Sequence, residues 1–374
     1  MHHVRGARVV AAPFVLVMAV AMALAGLSGC QSETTSPTTV TAARTVTAAP
    51  AAARPSADDP VNQVLAISVD GLNPEAITKL GPTGAPAFYS MMRRGAYTLN
   101  ARTEYEMTKT LPNHTGMLTG RRIDAKHGGH GVNVNSDTGK TVHKKAGHYV
   151  SSVFDVVHDR GGTTALYAAK TKFAIYPRTW NTHGRADRVG ENHGKKKIDR
   201  VRIDTDNARL VDKLVRELRA KPPTFTFLHI SLPDAAGHKY GFMSPRYMAA
   251  VQQTDRLLGT VLRTVDQQPR LNKHLLVMVT ADHGGDGAKN HSTASKAQNY
   301  RVPFLVWGPG VARGRDLYAI NPTFKDPKNS RPGYRGRQPI RHGDVANRAT
   351  DVLDRPSVPG SKLNRPRTLN VFGK

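Results

Sequence analysis

The run from Val64 to Val69 is apolar and β-branched and stops at Asp70-Gly71. A run of that length, bounded by turn residues, reads as a buried strand followed by a tight turn. Thr164–Ala169, Phe225–Leu232, Leu275–Thr280 and Val302–Trp307 repeat the form. Helical periodicity fills the intervals. Residues 74–94 carry Ile77, Leu80, Met91 and Met92 at apolar positions, and Pro112-Asn113 opens a helix over 113–118. Val150–His158 and Gly343–Leu353 read as helices. So does Asp206–Leu218, with Ala208, Val211, Leu214 and Val215 on one face. Ser244-Pro245 supplies an N-cap and a first-turn proline for a helix reaching Val265, with Met248, Val251, Leu258 and Val261 inward. Residues 121–148 are rich in Gly, His and Lys and predict a loop or hairpin; 177–200 predict a polar surface excursion. Strands alternating with helices predict an α/β fold with a mostly parallel sheet covered on both faces.

The first sixty residues do not share this pattern. Arg5 and Arg8 precede an apolar run from Val9 to Leu27, which closes on Leu27-Ser28-Gly29-Cys30. This is the layout of a secretory signal. The ending resembles a bacterial lipobox, which implies cleavage before Cys30 and a lipid on its sulfur, hence a membrane anchor on the outer side of the cytoplasmic membrane. The run is also about long enough to span a bilayer uncleaved, although Pro13 and the small residues speak for cleavage. Cys30 is the single cysteine, so no intramolecular disulfide forms. Residues 30–60, rich in Ser, Thr, Ala and Pro, predict a flexible linker. The organisation expected is therefore a signal peptide over 1–29, a lipidated linker over 30–60 and one catalytic domain over 61–374.

The net charge is +26, and within the first thirty residues only Arg5 and Arg8 contribute to it. Basic residues cluster at Lys144–Lys145, Lys195–Lys197 and across Arg331–Arg341. Such a balance favours anionic substrates or surfaces. No aromatic-interleaved basic stretch or zinc-finger spacing marks a dedicated nucleic-acid module.

The chemistry lies where strands end. Asp70 follows the first strand, Asp282-His283 follows Leu275–Thr280, and Asp234 and His238 follow Phe225–Leu232, four residues apart across an Ala-Ala-Gly turn. Ligands of open α/β sheets bind at such ends. Carboxylate oxygen and imidazole nitrogen are zinc donors, and they suit manganese or iron as well. Three acids at one sheet edge repel unless cations separate them, and a two-metal centre would do so while supplying hydrolytic chemistry.

With Thr108-Lys-Thr-Leu-Pro-Asn-His-Thr-Gly-Met-Leu-Thr-Gly120 added, the chain resembles the alkaline phosphatase superfamily, and within it the nucleotide pyrophosphatase/phosphodiesterase branch. The resemblance runs from Val64 to about Asn347 and implies an alkaline-phosphatase-like three-layer α/β/α sandwich. It implies two Zn2+ ions: one held by Asp234, His238 and a further histidine, the other by Asp70, Asp282, His283 and the Thr110 oxygen. His291 in Lys-Asn-His-Ser fits the further histidine, with His342 as the alternative. It implies Thr110 as the nucleophile and Asn135, or else Asn133, as the amide that holds a phosphoryl oxygen. The substrate implied is an anionic phosphoester, cut through a covalent phosphothreonine.

Leu111 stands where many nucleotide-cleaving members have Phe, which weakens an expectation of base stacking. The Cys/Ser-x-Pro-x-Arg signature of formylglycine sulfatases is absent. Other readings are a phosphomonoesterase or phosphonate hydrolase on the same scaffold, with Lys109 or Lys170 gripping the extra charge, and a non-catalytic envelope-binding lipoprotein. As plain surface or packing residues, those two lysines need no role.

Overall fold

The computed structural model describes residues 61–363 and 369–373. The signal, Cys30 and the whole linker lie outside the described residues. Eight strands form one sheet: β1 (Gln63–Val69), β2 (Ala96–Arg102), β3 (Thr164–Ala168), β4 (Arg200–Ile203), β5 (Phe225–Ile230), β6 (Leu275–Thr280), β7 (Arg301–Trp307) and β8 (Arg315–Asp316). Their order across the sheet is β4-β3-β5-β1-β6-β7-β2-β8. β4, β3, β5, β1 and β6 are parallel neighbours, with Val64 opposite Phe225 on one side and Leu276 on the other.

Every residue of β3, β5 and β6 is buried. Successive strand side chains point to opposite faces, so both faces are covered. One helix group, Pro74–Gly84, Pro86–Arg94, Asn207–Ala220 and Leu232–Tyr240, packs around the long helix Pro245–Gln267. A second group, Thr110–Thr119, Val153–His158 and Asp344–Val352, packs within itself. This is the expected α/β/α arrangement with a mostly parallel sheet.

Several details differ from the sequence reading. The helical stretch over 74–94 is broken, because Gly81 adopts φ 63° and Pro82 follows it. β7 runs antiparallel to β6. Residues 281–300 between them are mostly the loop that carries Asp282, His283 and His291, with only the short helix Ala297–Tyr300, so no helix long enough to recross the sheet forms. β2 was not anticipated, since its sequence Ala-Tyr-Thr-Leu-Asn-Ala-Arg has no clean alternation and its burial is mixed. Gly95 lets it close on β7: a Cβ there would lie 2.0 Å from the Val306 carbonyl oxygen. Residues 121–148 contain no hairpin, only a 3-10 turn over Ala125–His127 and a short helix over Val142–Ala146.

The polar excursion is tied down by a buried lysine. Lys197 is fully buried and its ammonium meets Asp187, Asp159 Oδ1 at 2.6 Å and the Gly194 carbonyl at 2.8 Å. His158, Asp159 and Asp187 have the spacing of a metal site, but Lys197 already supplies the cation among them.

Candidate metal centre

Four adjacent parallel strands, β3, β5, β1 and β6, deliver one polar side chain each just beyond their carboxyl ends: Lys170, Asp234, Asp70 and Asp282. Two backbone features set the spacing. Asp234 N donates to the Asp70 carbonyl at 3.1 Å. Gly71 adopts φ 72°, a Cβ on it would come within 3.0 Å of Asp234 Cα, and its N–H donates to Asp282 Oδ1 at 3.1 Å. Only glycine combines that positive φ with so close an approach. Asp234 and His238 are not across a turn, as the Ala-Ala-Gly spacing suggested. They lie one helical turn apart on Leu232–Tyr240, which puts His238 Nε2 3.3 Å from Asp234 Oδ1.

The donors converge. His283 Nε2 lies 3.3 Å from Asp70 Oδ1, 3.3 Å from Asp282 Oδ2 and 3.7 Å from Asp234 Oδ1. His291 Nε2 lies 3.6 Å from Asp234 Oδ1 and 3.2 Å from His238 Nε2. Two overlapping groups result: Asp70, Asp282 and His283 in one, Asp234, His283 and His291 in the other, with His238 at the rim of the second. All but His238 are buried.

The hydrogen bonds around these groups fit bound metal cations. The Nδ1 atoms of His283, His291 and His238 face the carbonyls of Gly284, Thr108 and Lys289 at 2.8, 2.6 and 2.9 Å. A carbonyl only accepts, so each Nδ1 carries the proton and each Nε2 presents a lone pair inward. Those lone pairs face carboxylate oxygens and one another. Asp70 Oδ1, Asp234 Oδ1, Asp282 Oδ2 and His283 Nε2 are buried with no hydrogen-bond partner among the described residues. Acceptors that face acceptors in a buried space are unfavourable unless a cation lies between them.

The charges tell the same story. Burial, and after it the Asp70 carboxylate, pushes Asp282 up to about 8. Burial pulls His283 down, but Asp282, Asp70 and Asp234 outweigh it and lift it to about 9: without a metal ion the carboxylates draw a second proton onto Nε2, the atom that would otherwise ligate. Burial and the neighbouring His283 press His291 down to about 2, which keeps its ring neutral and able to ligate. Asp70 is held well below the carboxylate range: burial opposes this, and Lys170, His229 and His283 overcome it.

The Thr110 segment threads between these groups. The helix begins at Thr110 rather than near Asn113, with Lys109 as its N-cap residue and Gly120, φ 61°, closing it. Thr110 therefore occupies the first helical position, where the dipole favours negative charge. His114 Nδ1 donates to the Thr110 carbonyl at 2.8 Å and lies 3.5 Å from Asp282 Oδ2, so one ring spans the Thr110 segment and the donor group. Asn135 Oδ1 accepts from Leu111 N at 2.9 Å, which brings its amide beside Thr110; Asn133 is exposed. His342 is elsewhere: its Nδ1 faces the Ala281 carbonyl at 3.1 Å and its Nε2 faces Glu104 N at 3.3 Å.

The sequence reading missed His229 and Ser68, and offered Lys170 only as a grip on substrate charge or as a packing residue. Lys170 is no packing lysine: its Nζ lies 2.6 Å from Asp70 Oδ2 and 2.5 Å from Asp234 Oδ2. His229 Nε2 meets the same Asp70 oxygen at 2.9 Å from the interior of β5. Ser68 Oγ, one strand over, lies 2.8 Å from His114 Nε2. A polar residue inside an otherwise apolar strand, such as His229 or Ser68, was the available signal. Lys170 had none beyond following β3.

Among relatives by sequence, venom phosphodiesterase 2 of Crotalus adamanteus is 39% identical over 66 residues, 18% of this chain and 8% of that protein. Ectonucleotide pyrophosphatase/phosphodiesterase family member 7 of Rattus norvegicus is 26% identical over 184 residues, 48% of this chain and 40% of that protein. The chain thus spans less than half the length of either. By structure, murine ectonucleotide pyrophosphatase/phosphodiesterase 5, an inactive variant in complex with AMP, superposes with a TM-score of 0.55 at 14% identity, covering 80% of this chain and 96% of that one. That likeness shows that the two share a fold. The family model for type I phosphodiesterase / nucleotide pyrophosphatase matches residues 64–323, well over half of the sequence, and the chain belongs to that family.

Proposed function

We propose that this protein is a zinc-dependent hydrolase of phosphodiester or pyrophosphate bonds, working through a covalent phosphothreonine at Thr110. The observation that carries the reading is the set of buried, unpartnered atoms, Asp70 Oδ1, Asp234 Oδ1, Asp282 Oδ2 and His283 Nε2, gathered beside the first turn of the Thr110 helix. Asp234, His238 and His291 would hold one ion; Asp70, Asp282, His283 and the Thr110 oxygen would hold the other. Zinc bound there would favour the alkoxide of Thr110 and draw charge from the phosphoryl oxygens.

The chain's own groups divide the remaining work. Thr110 Oγ forms the new bond to phosphorus as the bond to the leaving oxygen breaks, and the leaving oxygen takes a proton from solvent. Water then attacks the phosphothreonine, and Thr110 Oγ departs and regains a proton. The helix N-terminus stabilises the charge that develops at this position. Asn135 has its Oδ1 committed to Leu111 N, which leaves its amide N–H groups for a phosphoryl oxygen. Lipid anchorage through Cys30 would place the domain on the outer surface of the cytoplasmic membrane.

The test is turnover of an aryl phosphodiester by the zinc-loaded protein, with acid quenching and mass analysis of the peptide containing Thr110. Phenolate release with a phosphoryl adduct on Thr110 is expected; turnover without any adduct, or none at all, would count against the reading. Replacing Asn135 by Ala should lower kcat/KM by about a hundredfold, the usual cost of one anion-stabilising donor. Asn133→Ala should stay within about twofold, since its side chain is exposed. Equal effects from the two replacements would remove Asn135 from the site.

A further inference from the structure

The turn that leaves β3 carries two lysines, and the structure gives them different surroundings. Lys170 is committed: its ammonium bridges Asp70 and Asp234, one carboxylate from each donor group. Beyond it, Phe173 is fully buried, 4.9 Å from the His114 ring and 4.4 Å from the His229 ring. The 3-10 turn Thr171–Ala174 is thus pinned to the centre at both ends. Lys172 lies between these anchors. It is half-buried, and among the described residues it forms no ion pair and no side-chain hydrogen bond. Its backbone stands two residues beyond Lys170 and one before Phe173, beside the centre; burial and the Lys170 charge lower its pKa, and Asp70, Asp234 and Asp282 oppose the fall.

A half-buried ammonium without a carboxylate partner has lost hydration with nothing in return. The Asp70 and Asp234 carboxylates of the centre are occupied by Lys170 and shared with the histidines. Two divalent ions together with Lys170 would outweigh the three carboxylates, so Lys172 adds positive charge that a singly charged diester does not neutralise. An anion arriving at the centre with more than one charge would supply the missing partner.

We propose that Lys172 is a specificity-determining residue that pairs with negative charge carried by the substrate beyond that of a simple phosphodiester, as on a terminal phosphate or a dianionic phosphoryl group. The assignment rests on the phosphoester-hydrolase reading above. It also separates the two lysines: Lys170 holds ligand carboxylates, and Lys172 reads the substrate.

The experiment compares zinc-loaded full-length protein with Lys172→Met and Lys172→Arg on an aryl methyl phosphodiester, the matching aryl phosphomonoester and adenosine triphosphate. Lys172→Met should lower kcat/KM for the monoester, the triphosphate or both by about ten- to a hundredfold, the range for a hydrogen bond to a charged group. The diester should change by less than about threefold, and Lys172→Arg should keep most of the preference. A loss confined to the triphosphate puts the extra charge on the leaving side; one confined to the monoester puts it on the reacting phosphorus. Either outcome supports the assignment, whereas an equal change on all three substrates overturns it. Adenosine diphosphate binding, measured by calorimetry in a Thr110→Ala background with and without Lys172→Met, decides the point without turnover. Unaltered affinity there overturns the role of Lys172. Should the wild-type protein cleave none of the three substrates, the hydrolase reading falls while this titration still decides the fate of Lys172.

Discussion

Thr110→Ala is expected to lower kcat on an aryl phosphodiester by at least about a thousandfold while leaving zinc content close to that of the wild type. The hydroxyl is the only part of the side chain the chemistry uses, and alanine keeps the helix start intact. The helix would not suffer: alanine has the better intrinsic propensity, and Leu111 N keeps its bond to Asn135 Oδ1. His114 keeps the Thr110 backbone carbonyl as its partner. Five of the six Asp and His donors are buried and held by their own hydrogen bonds, so the donor set should survive. A loss confined to kcat, with zinc retained and the phosphoryl adduct gone, is what a nucleophile produces. Activity near the wild-type level would remove Thr110 from that role, and loss of zinc along with activity would recast it as a ligand alone.

Withdrawal of metal should have an effect of the same order, and His283→Ala should reproduce much of it. His283 is the one residue common to both donor groups, with its Nε2 within 3.7 Å of all three carboxylates. Removing the ring leaves Asp70 Oδ1, Asp234 Oδ1 and Asp282 Oδ2 facing one another without the imidazole. Dialysis against a strong chelator should abolish turnover, and zinc should restore it to the wild type. For His283→Ala, zinc content measured by mass spectrometry should fall from about two equivalents to one or fewer, and added zinc should not restore activity. Two equivalents retained by the variant, with activity intact, would sink the proposed donor set.

The second outcome depends on geometry that no single segment contains. Asp70, Asp234 and Asp282 were legible as strand-end acids because each follows an apolar run, and β1, β5 and β6 form where those runs lie. The Thr110 motif was legible as a motif, although its helix starts at Thr110 itself rather than after Pro112. Proline at the third helical position costs nothing there, since that N–H has no intrahelical partner. The proline therefore marked a first turn already under way. The antiparallel course of β7 and the existence of β2 were not legible. Both depend on what lies beside them: a connection given over to the donor loop instead of a crossover helix, and a glycine that admits a neighbouring carbonyl.

Local periodicity and chemistry are properties of contiguous residues, and so the sequence by itself determined the five apolar strands and the main helices between them, the mostly parallel α/β class and the identities of the candidate acids, histidines and threonine. Only the tertiary structure decided which of them meet. It put His291 against Asp234 and sent His342 to Glu104; it set Asn135 on the start of the Thr110 helix and left Asn133 exposed. It turned Lys170 inward to bridge two carboxylates and left Lys172 without a partner among the described residues. The physical reason is that a buried charge must find its counter-charge in space. The distance along the chain between Lys170 and Asp70, or between His291 and Thr108, carries no record of that pairing until the sheet has placed its strands side by side.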